Sequence, residues 1–302
     1  MQHAVLDRME RITDDVLSLV FRGAETPLVP WEPGAHIDLA LPNWLTRQYS
    51  LCGDPAAQEH YRIAVRHDPL SRGGSEYIHL FLEQGRTLDI SLPRNNFPLL
   101  PAPSYLFIAG GIGITPILPM MRTATAAGAA TTLLYIGRTP ATMPFAENLR
   151  ATYGDRVRTI ATQLEGRPDF DSLAAELDPR ALVYCCGPTS MMDRAESVFP
   201  AGRVHVERFR PTPRPTVPNT PFEVLCARSA TKVQVPEHLS MLDALTQAGH
   251  PLPASCREGV CGTCELTVLA GTPDHRDDIG ASPDLIYPCV SRSLSPQLVV
   301  DL

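Results

Sequence analysis

The sequence has no excess of positive charge and no long apolar run that is free of proline. Its 302 residues carry 26 Lys and Arg against 33 Asp and Glu, a net charge of −7. Nucleic-acid binding needs a basic stripe, so this balance excludes that class of function. One long uncharged stretch, residues 95–121, holds five prolines and three glycines. That composition favours loop, strand, loop and helix over a membrane-spanning helix, so we expect a soluble protein with no membrane partner.

Signals for hydrolysis and for a histidine-rich metal centre are also missing. The nine histidines are scattered without metal-ligand spacing, and no serine lies in a nucleophile elbow. Residues 1–11 are polar and lack the apolar segment of a signal peptide. The hydrophobic fraction of 44% is ample for packed cores, and the length predicts two or three domains.

Four cysteines near the C-terminus form the most informative motif. Cys256, Cys261, Cys264 and Cys289 have the spacing C-x4-C-x2-C…C, which is the ligand pattern of a plant-type [2Fe–2S] cluster. Gly259 and Gly262 allow the loop to wrap tightly, with backbone N–H groups directed at the cluster sulfurs. Iron-ligating thiols need a reducing compartment during assembly, so the pattern favours the cytoplasm.

Zinc binding and a disulfide framework are the two alternatives. Structural zinc sites usually pair two C-x2-4-C halves or add histidines. Here three of the four cysteines lie close together in sequence, and the fourth follows much later in the chain. An even number of cysteines, eight in this chain, is compatible with a disulfide framework. The four cysteines outside the motif have unrelated spacing, which argues against such a framework; they are Cys52, Cys185, Cys186 and Cys226.

The hydrophobic pattern changes twice along the chain. Residues 1–98 read as short alternating strands with one helix over Glu76–Glu83, N-capped by Ser75, which predicts an antiparallel β-barrel. Residues 99–209 alternate buried-type strands with helical stretches, which is typical of a parallel α/β sheet. Residues 210–220 form a proline-rich linker, and residues 221–302 carry the cysteine motif.

Two polar motifs of the barrel can bind a phosphate and a planar ring. In the first, an Arg can hold a phosphate, a Tyr can cover a ring and a Ser can hydrogen-bond a ring nitrogen; its residues are Arg47, Gln48, Tyr49 and Ser50. The second precedes the predicted helix, whose N-terminus can bind an anion; it comprises Arg72, Gly73, Gly74 and Ser75. Each also reads as an ordinary strand end or a flexible loop.

A glycine motif follows the first strand of the α/β region. Gly111 and Gly113 permit close approach to a pyrophosphate, Thr115 can cap the next helix, and Pro116 suits its first position. No acidic residue follows the second strand, where it would bind the ribose 2′-hydroxyl of the nucleotide. The residue in that region is Arg138, which is either a solvated side chain or a contact for a 2′-phosphate.

In this order the motifs resemble the phthalate dioxygenase reductase family, including the vanillate demethylase reductase type. The resemblance covers essentially the whole chain and implies three domains: a flavin barrel, a nicotinamide α/β domain and an α+β ferredoxin domain of β-grasp type. The resemblance implies FMN rather than FAD as the flavin and a [2Fe–2S] cluster. It implies NADH as the nicotinamide nucleotide and does not exclude NADPH.

The resemblance also implies site residues and a reaction. Cys186 in Cys186-Gly187-Pro188 matches the cysteine beside the nicotinamide, and Phe209 matches an aromatic residue that covers the flavin. Hydride transfer needs no acid–base residue, so the predicted catalytic residues Ser50, Thr115 and Cys186 act by positioning. A two-electron hydride then becomes two single-electron transfers through the cluster.

The implied partner is a terminal oxygenase, of Rieske type by resemblance, served by a monomeric reductase. A haem monooxygenase or a separate electron carrier is one alternative acceptor. A non-catalytic electron carrier or redox sensor is the other alternative, although the intact Arg47, Tyr49 and Ser50 argue against it.

Overall fold

The computed structural model describes residues 1–57, 59–212, 218–280 and 282–302. The chain divides into two units, Met1–Glu207 and Arg208–Leu302, and each is described by itself. Part of the predicted linker, residues 213–217, lies outside the described residues.

The N-terminal part of the first unit is an antiparallel barrel. Its six strands hydrogen-bond in the order β4-β3-β6-β1-β2-β5. Just beyond the end of β4, Cys52 N–H donates to the Arg62 carbonyl of β5 at 2.8 Å, which joins the two end strands. Phe21, Ile37 and Leu39 fill the interior. The elements are β1 Gln2–Thr13, β2 Val16–Gly23, β3 His36–Ala40, β4 Thr46–Ser50, β5 His60–Arg66, α1 Gly74–Phe81 and β6 Thr87–Ile90.

Helix α1 begins two residues earlier than predicted, and Ser75 is not its cap. The N-cap is Gly73, in the left-handed region at φ 83°, a conformation that glycine adopts without steric cost. The Ser75 hydroxyl accepts from Asp68 N–H at 3.1 Å and contacts the Ser71 hydroxyl at 3.1 Å. Ser75 therefore closes the loop before the helix.

The rest of the first unit is a five-stranded parallel sheet in the order β11-β10-β7-β8-β9. Its two faces carry separate apolar cores, so helices cover both sides. The elements are β7 Ser104–Gly110, α2 Ile114–Ala126, β8 Ala130–Gly137, α3 Ala146–Tyr153, β9 Val157–Ala161, α4 Thr162–Glu165, α5 Phe170–Ala175, β10 Ala181–Cys186, α6 Thr189–Val198 and β11 Val204–Glu207.

The uncharged stretch 95–121 contributes β7 and most of α2 to this sheet. Within the described ranges, no helix has both the length and the apolar character needed to cross a bilayer.

The second unit has a β-grasp arrangement. A β12–β13 hairpin is followed by α7, and β18 returns parallel to β12 in the sheet order β13-β12-β18-β14-β16. Met241 and Leu245 of α7 pack into the core of this sheet. The elements are β12 Phe222–Cys226, β13 Thr231–Val235, α7 Met241–Gln247, β14 Leu266–Ala270, β15 Pro273–Asp274, β16 Leu285–Ile286, β17 Arg292–Ser293 and β18 Gln297–Val300. The predicted fold class, barrel plus parallel α/β sheet plus β-grasp, is confirmed.

A buried arginine joins the loops around this β-grasp sheet. Arg292 is 4% exposed, and its guanidinium donates to the carbonyls of Leu239 at 2.8 Å and of Thr220 and Pro236 at 3.1 Å each. The same group lies over the Phe222 ring, 5.2 Å from its centroid. One side chain thus donates to three carbonyls of the loops, of which the Pro236 carbonyl also accepts from Leu239 N–H at 3.4 Å.

Replacing Arg292 with Met keeps an unbranched apolar side chain, removes the guanidinium and takes the Arg292 donor from the carbonyls of Leu239, Thr220 and Pro236. We expect a loss of about 3 kcal/mol in the unfolding free energy of this unit, because each unsatisfied buried acceptor costs about 1–3 kcal/mol. Denaturant unfolding of both variants measures the effect. The control Arg228→Met removes an exposed partner of Asp301 and should change stability little. Equal losses in the two variants would contradict the role of Arg292.

Candidate functional site

Arg47 lies across the N-terminus of α1. Its guanidinium Nη2 donates to the Arg72 carbonyl at 2.9 Å. A Cβ at Gly74 would fall 2.6 Å from Arg47 Cγ and 2.7 Å from its Nε, so only glycine admits the side chain there. Among the residues that the structure describes, no side chain caps α1. The first N–H groups of the helix and the guanidinium together form a site that fits a phosphate.

The other predicted residues of β4 alternate between the two faces of the strand. Tyr49 packs against the barrel core, and burial raises its pKa, so its phenol stays neutral. The Gln48 amide donates to the Asp38 carboxylate at 3.1 Å, and Asp38 pairs with Arg94 at 2.7 Å. Gln48 is thus oriented by a buried ion pair.

Ser50, Cys186 and Glu207 meet where the barrel faces the parallel sheet. The Ser50 hydroxyl donates to Glu207 Oε2 in a long hydrogen bond of 3.5 Å. Cys186 and Glu207 end neighbouring strands and are partners in the β10–β11 register. Burial raises the pKa of Glu207 to about 8, and burial together with Glu207 raises the pKa of the Cys186 thiol. These shifts favour the protonated carboxyl of Glu207 and the neutral thiol of Cys186.

Two glycine loops interlock at the carboxyl ends of β7 and β10. A Cβ at Gly113 would fall 2.3 Å from the Cys186 carbonyl oxygen, one at Gly187 would fall 3.0 Å from the Gly110 nitrogen, and one at Gly110 would fall 2.5 Å from Pro188 Cδ. From β7 the chain adds β8 and β9 on one side of the sheet and then β10 and β11 on the other, so the strand order reverses between β7 and β10. Nucleotides bind to α/β folds at such a point.

Within the first loop, two predictions about side chains are wrong. Gly111–Gly113 form a 3-10 turn, so α2 begins at Ile114 and Pro116 is its third residue. The buried Thr115 hydroxyl donates to the Ile112 carbonyl at 3.0 Å, so it stabilises this turn and does not cap the helix.

Sequence reasoning missed Glu207 and Arg66 as site residues. Arg66 ends β5, and its Nη1 lies 3.8 Å from where a Gly111 Cβ would be. Its exposed guanidinium has no hydrogen bond or ion pair within the part of the chain that the structure describes. Arg66 therefore brings a positive charge from the barrel to the nucleotide loop. The only sequence signal for either residue is a charged side chain at a strand end.

Arg138 and Phe209 are both exposed. Arg138 follows β8, and its carbonyl accepts from Gln163 N–H at 3.1 Å while its side chain faces solvent. Phe209 belongs to the second unit and is 43% exposed. Their predicted contacts with nicotinamide nucleotide and flavin remain predictions.

In the second unit, the thiols of the four predicted ligands lie close together. Cys256 neighbours Cys261 and Cys289, and Cys289 also neighbours Cys264. Backbone N–H groups point at the sulfurs: Glu258 N lies 3.3 Å from Cys256 Sγ, and Thr263 N lies 3.4 Å from Cys261 Sγ.

The loop that carries these thiols has an unusual backbone. Arg257, Gly259 and Gly262 all have positive φ, at 58°, 72° and 75°. The guanidinium of Arg257 pairs with Asp243 of α7, which fixes the start of the loop. Among the described residues, no three Cys, His, Asp or Glu side chains converge on a single metal ion. The four thiols fit a two-iron cluster, in which each iron takes two protein ligands.

Two family models match the chain. Residues 225–292 match the 2Fe-2S iron-sulfur cluster binding domain, and residues 107–197 match the oxidoreductase NAD-binding domain. These matches confirm the predicted iron–sulfur cluster and the nicotinamide nucleotide.

Full-length relatives are reductase components of oxygenase systems. The chain is 36% identical to phthalate dioxygenase reductase of Burkholderia cepacia, over 97% of this chain and 95% of the relative. It is 38% identical to the vanillate O-demethylase oxidoreductase of Pseudomonas sp. (strain HR199 / DSM 7063), over all of both chains.

Two solved structures share the fold. Phthalate dioxygenase reductase, described as a modular structure for electron transfer from pyridine nucleotides to [2Fe–2S], matches 99% of this chain and 97% of that one at 36% identity and a TM-score of 0.73. An intact type IV self-sufficient cytochrome P450 monooxygenase matches all of this chain at 36% identity and a TM-score of 0.93. The chain spans about two fifths of that P450's length, 41%.

The predicted resemblance is thereby confirmed, and the predicted set of flavin, nicotinamide nucleotide and [2Fe–2S] cluster agrees with it. The chain belongs to the phthalate dioxygenase reductase family, the NAD-linked iron–sulfur reductase components of oxygenase and demethylase systems.

Proposed function

We propose that the chain is the NADH-oxidising reductase of a Rieske-type aromatic oxygenase or demethylase system, with FMN and a [2Fe–2S] cluster as internal carriers. The observation that carries this proposal is the four-cysteine loop, in a chain whose full-length relatives include the phthalate and vanillate reductases. When bound, FMN accepts a hydride from the nicotinamide and releases its electrons singly.

Arg47 and the N-terminus of α1 would bind the FMN phosphate. The guanidinium supplies charge and paired donors, and the helix supplies N–H groups and the positive end of its dipole. Tyr49 would cover the ring system, and the Gly74 position keeps Arg47 against the helix. Each residue holds or orients the flavin and takes no part in bond breaking.

Ser50, Cys186 and Glu207 would form the surface on which nicotinamide and flavin meet. Neutral Cys186 and protonated Glu207 add no charge there, so a hydride can cross without a competing ion. The Ser50 hydroxyl, which contacts Glu207, would hydrogen-bond a ring nitrogen of the flavin. These residues position the reactants and exclude water.

The nucleotide proposed is NADH. The interlocked glycine loops and Arg66 would bind its pyrophosphate, where a guanidinium offsets the negative charge. Arg138 is exposed and would contact only solvent when NADH is bound.

An acidic ferredoxin domain would dock on a basic partner. Residues 221–302 hold 10 Asp and Glu against 5 Lys and Arg. Opposite charge accelerates association at low salt, so transfer to the partner should weaken as ionic strength rises.

A haem monooxygenase is the second candidate partner. The observation that favours it is the TM-score of 0.93 and the 36% identity to the reductase portion of a self-sufficient cytochrome P450. Comparing reduction of a purified Rieske oxygenase and a separate P450 haem domain at equal concentration distinguishes the two. Faster reduction of the haem domain would contradict the Rieske assignment and leave the reductase activity unchallenged.

Replacing Arg47 with Ala should lower the flavin content of purified protein. The substitution removes the guanidinium at the phosphate position, and a charged hydrogen bond of this kind contributes about 1.5–3 kcal/mol, roughly tenfold or more in affinity. Acid release and chromatography measure flavin per chain and identify it as FMN. Arg86→Ala, at an exposed turn of the same barrel, is the control; equal flavin content in both variants would refute the phosphate role.

Replacing Cys261 with Ser should abolish electron transfer to a protein acceptor while NADH-driven reduction of ferricyanide continues. Loss of one thiolate prevents cluster assembly, but the flavin site lies in the other unit. Cys226→Ser changes a buried cysteine outside the motif and should retain both activities. Survival of protein reduction in C261S would show that the cluster is not the outlet.

Replacing Glu207 with Gln should remove a pH dependence of stability. The carboxyl has an ordinary pKa of 4.5 and a pKa of about 8 in the folded protein. Between these values the folded state keeps a proton that the unfolded chain releases, so wild-type stability falls as pH rises. Urea unfolding at several pH values should show the wild type weakening relative to E207Q across this window. A constant difference between the two proteins would contradict the raised pKa.

A further inference from the structure

The carboxylate of Asp277 is buried within the fold that carries the cysteine motif. Its side chain is 1% exposed. A buried carboxylate is costly unless donors surround it, so its retention at this place needs a reason. Asp277 is not one of the predicted cluster ligands.

Donors from two segments surround this carboxylate. Asp277 Oδ1 accepts from the backbone N–H groups of Ile279 and Gly280, both at 3.1 Å. Oδ2 accepts from the Ser291 hydroxyl at 3.5 Å and lies 3.8 Å from His275 Nδ1. Ser291 also accepts from Arg276 N–H at 3.1 Å. The carboxylate therefore links residues 275–280 to the segment that follows Cys289.

The same residue packs against the first cysteine loop. A Cβ at Gly259 would fall 3.1 Å from Asp277 Cα, 3.3 Å from Asp277 Cβ and 2.6 Å from Val290 Cγ2. The next residue, Asp278, donates its N–H to the Gly259 carbonyl at 2.9 Å. Asp277 thus lies between the loop that bears Cys256 and Cys261 and the loop that bears Cys289.

Nearby cations have carboxylate partners of their own. Arg276 pairs with Asp274 at 2.7 Å, and Arg257 pairs with Asp243. His275 is the basic side chain that faces Asp277 among the described ion pairs. Hydrogen-bond donors and the His275 ring therefore both face the carboxylate of Asp277.

We propose that Asp277 is a positioning residue that lowers the reduction potential of the [2Fe–2S] cluster. Reduction adds one electron and makes the cluster one charge more negative, and a fixed negative charge in a poorly solvated site opposes that step. A lower potential makes the reduced cluster a stronger donor to the acceptor protein. This inference rests on the proposed ligation by the four cysteines.

Asp277→Asn in the full-length holoprotein tests the proposal. Asparagine keeps an oxygen acceptor for the two N–H groups and removes the charge. The control Asp284→Asn removes an equal charge from an exposed residue, where water screens it. Redox titration followed by visible and EPR spectra measures the reduction potential of the cluster. The potential of D277N should be higher than that of the wild type by about 59 mV, which is a tenfold shift of the one-electron equilibrium toward the reduced cluster. D284N should match the wild type.

A second variant, Ser291→Ala, keeps the charge and removes one hydrogen bond to it. The carboxylate then lies less compensated, so the potential should move in the opposite direction to that of D277N. Equal potentials in D277N and D284N would overturn the proposal. If D277N fails to retain iron, an unchanged potential in S291A would overturn it instead. Iron and sulfide analysis of the wild type tests ligation separately: absence of both would contradict the proposed function.

Discussion

The close approach of two loops at the carboxyl ends of β7 and β10 determines the chemistry available to the first unit. Gly113 abuts the carbonyl of Cys186, and Gly187 abuts the backbone of Gly110, so no side chain larger than hydrogen fits at the crossing. This contact places Cys186 at the strand end beside Glu207, within reach of the barrel.

Two carboxyl groups in different environments show how the same side-chain chemistry serves two stages of electron transfer. Glu207 is half-buried with one long hydrogen bond from Ser50, and its desolvation raises its pKa to about 8, which favours the protonated form. Asp277 has two backbone donors and a hydroxyl donor, which stabilise a charge in the second unit. Neutrality suits the place where a hydride crosses, and a fixed charge suits the place where the potential of a one-electron carrier is adjusted.

Most of the fold could be predicted from the sequence because its signals are local. Cysteine spacing, buried strand runs and the glycine turn each depend on a few adjacent residues. The polar residues 1–11 give only a weak sequence signal for β1, because burial among its 12 residues is restricted to Ala4 and Leu6. Glu207 and Arg66 escaped because their roles depend on strands distant in sequence. The Thr115 prediction failed because a 3-10 turn moved the helix start.

In the proposed function, electrons from NADH reach the cluster through the flavin of the same chain. Anaerobic addition of NADH to the purified holoprotein, followed by visible spectroscopy, tests it most directly. We expect flavin and [2Fe–2S] absorption both to decrease, with NADH effective at lower concentration than NADPH. Bleaching of the flavin alone, with a cluster that dithionite reduces but NADH does not, would contradict this order of electron transfer.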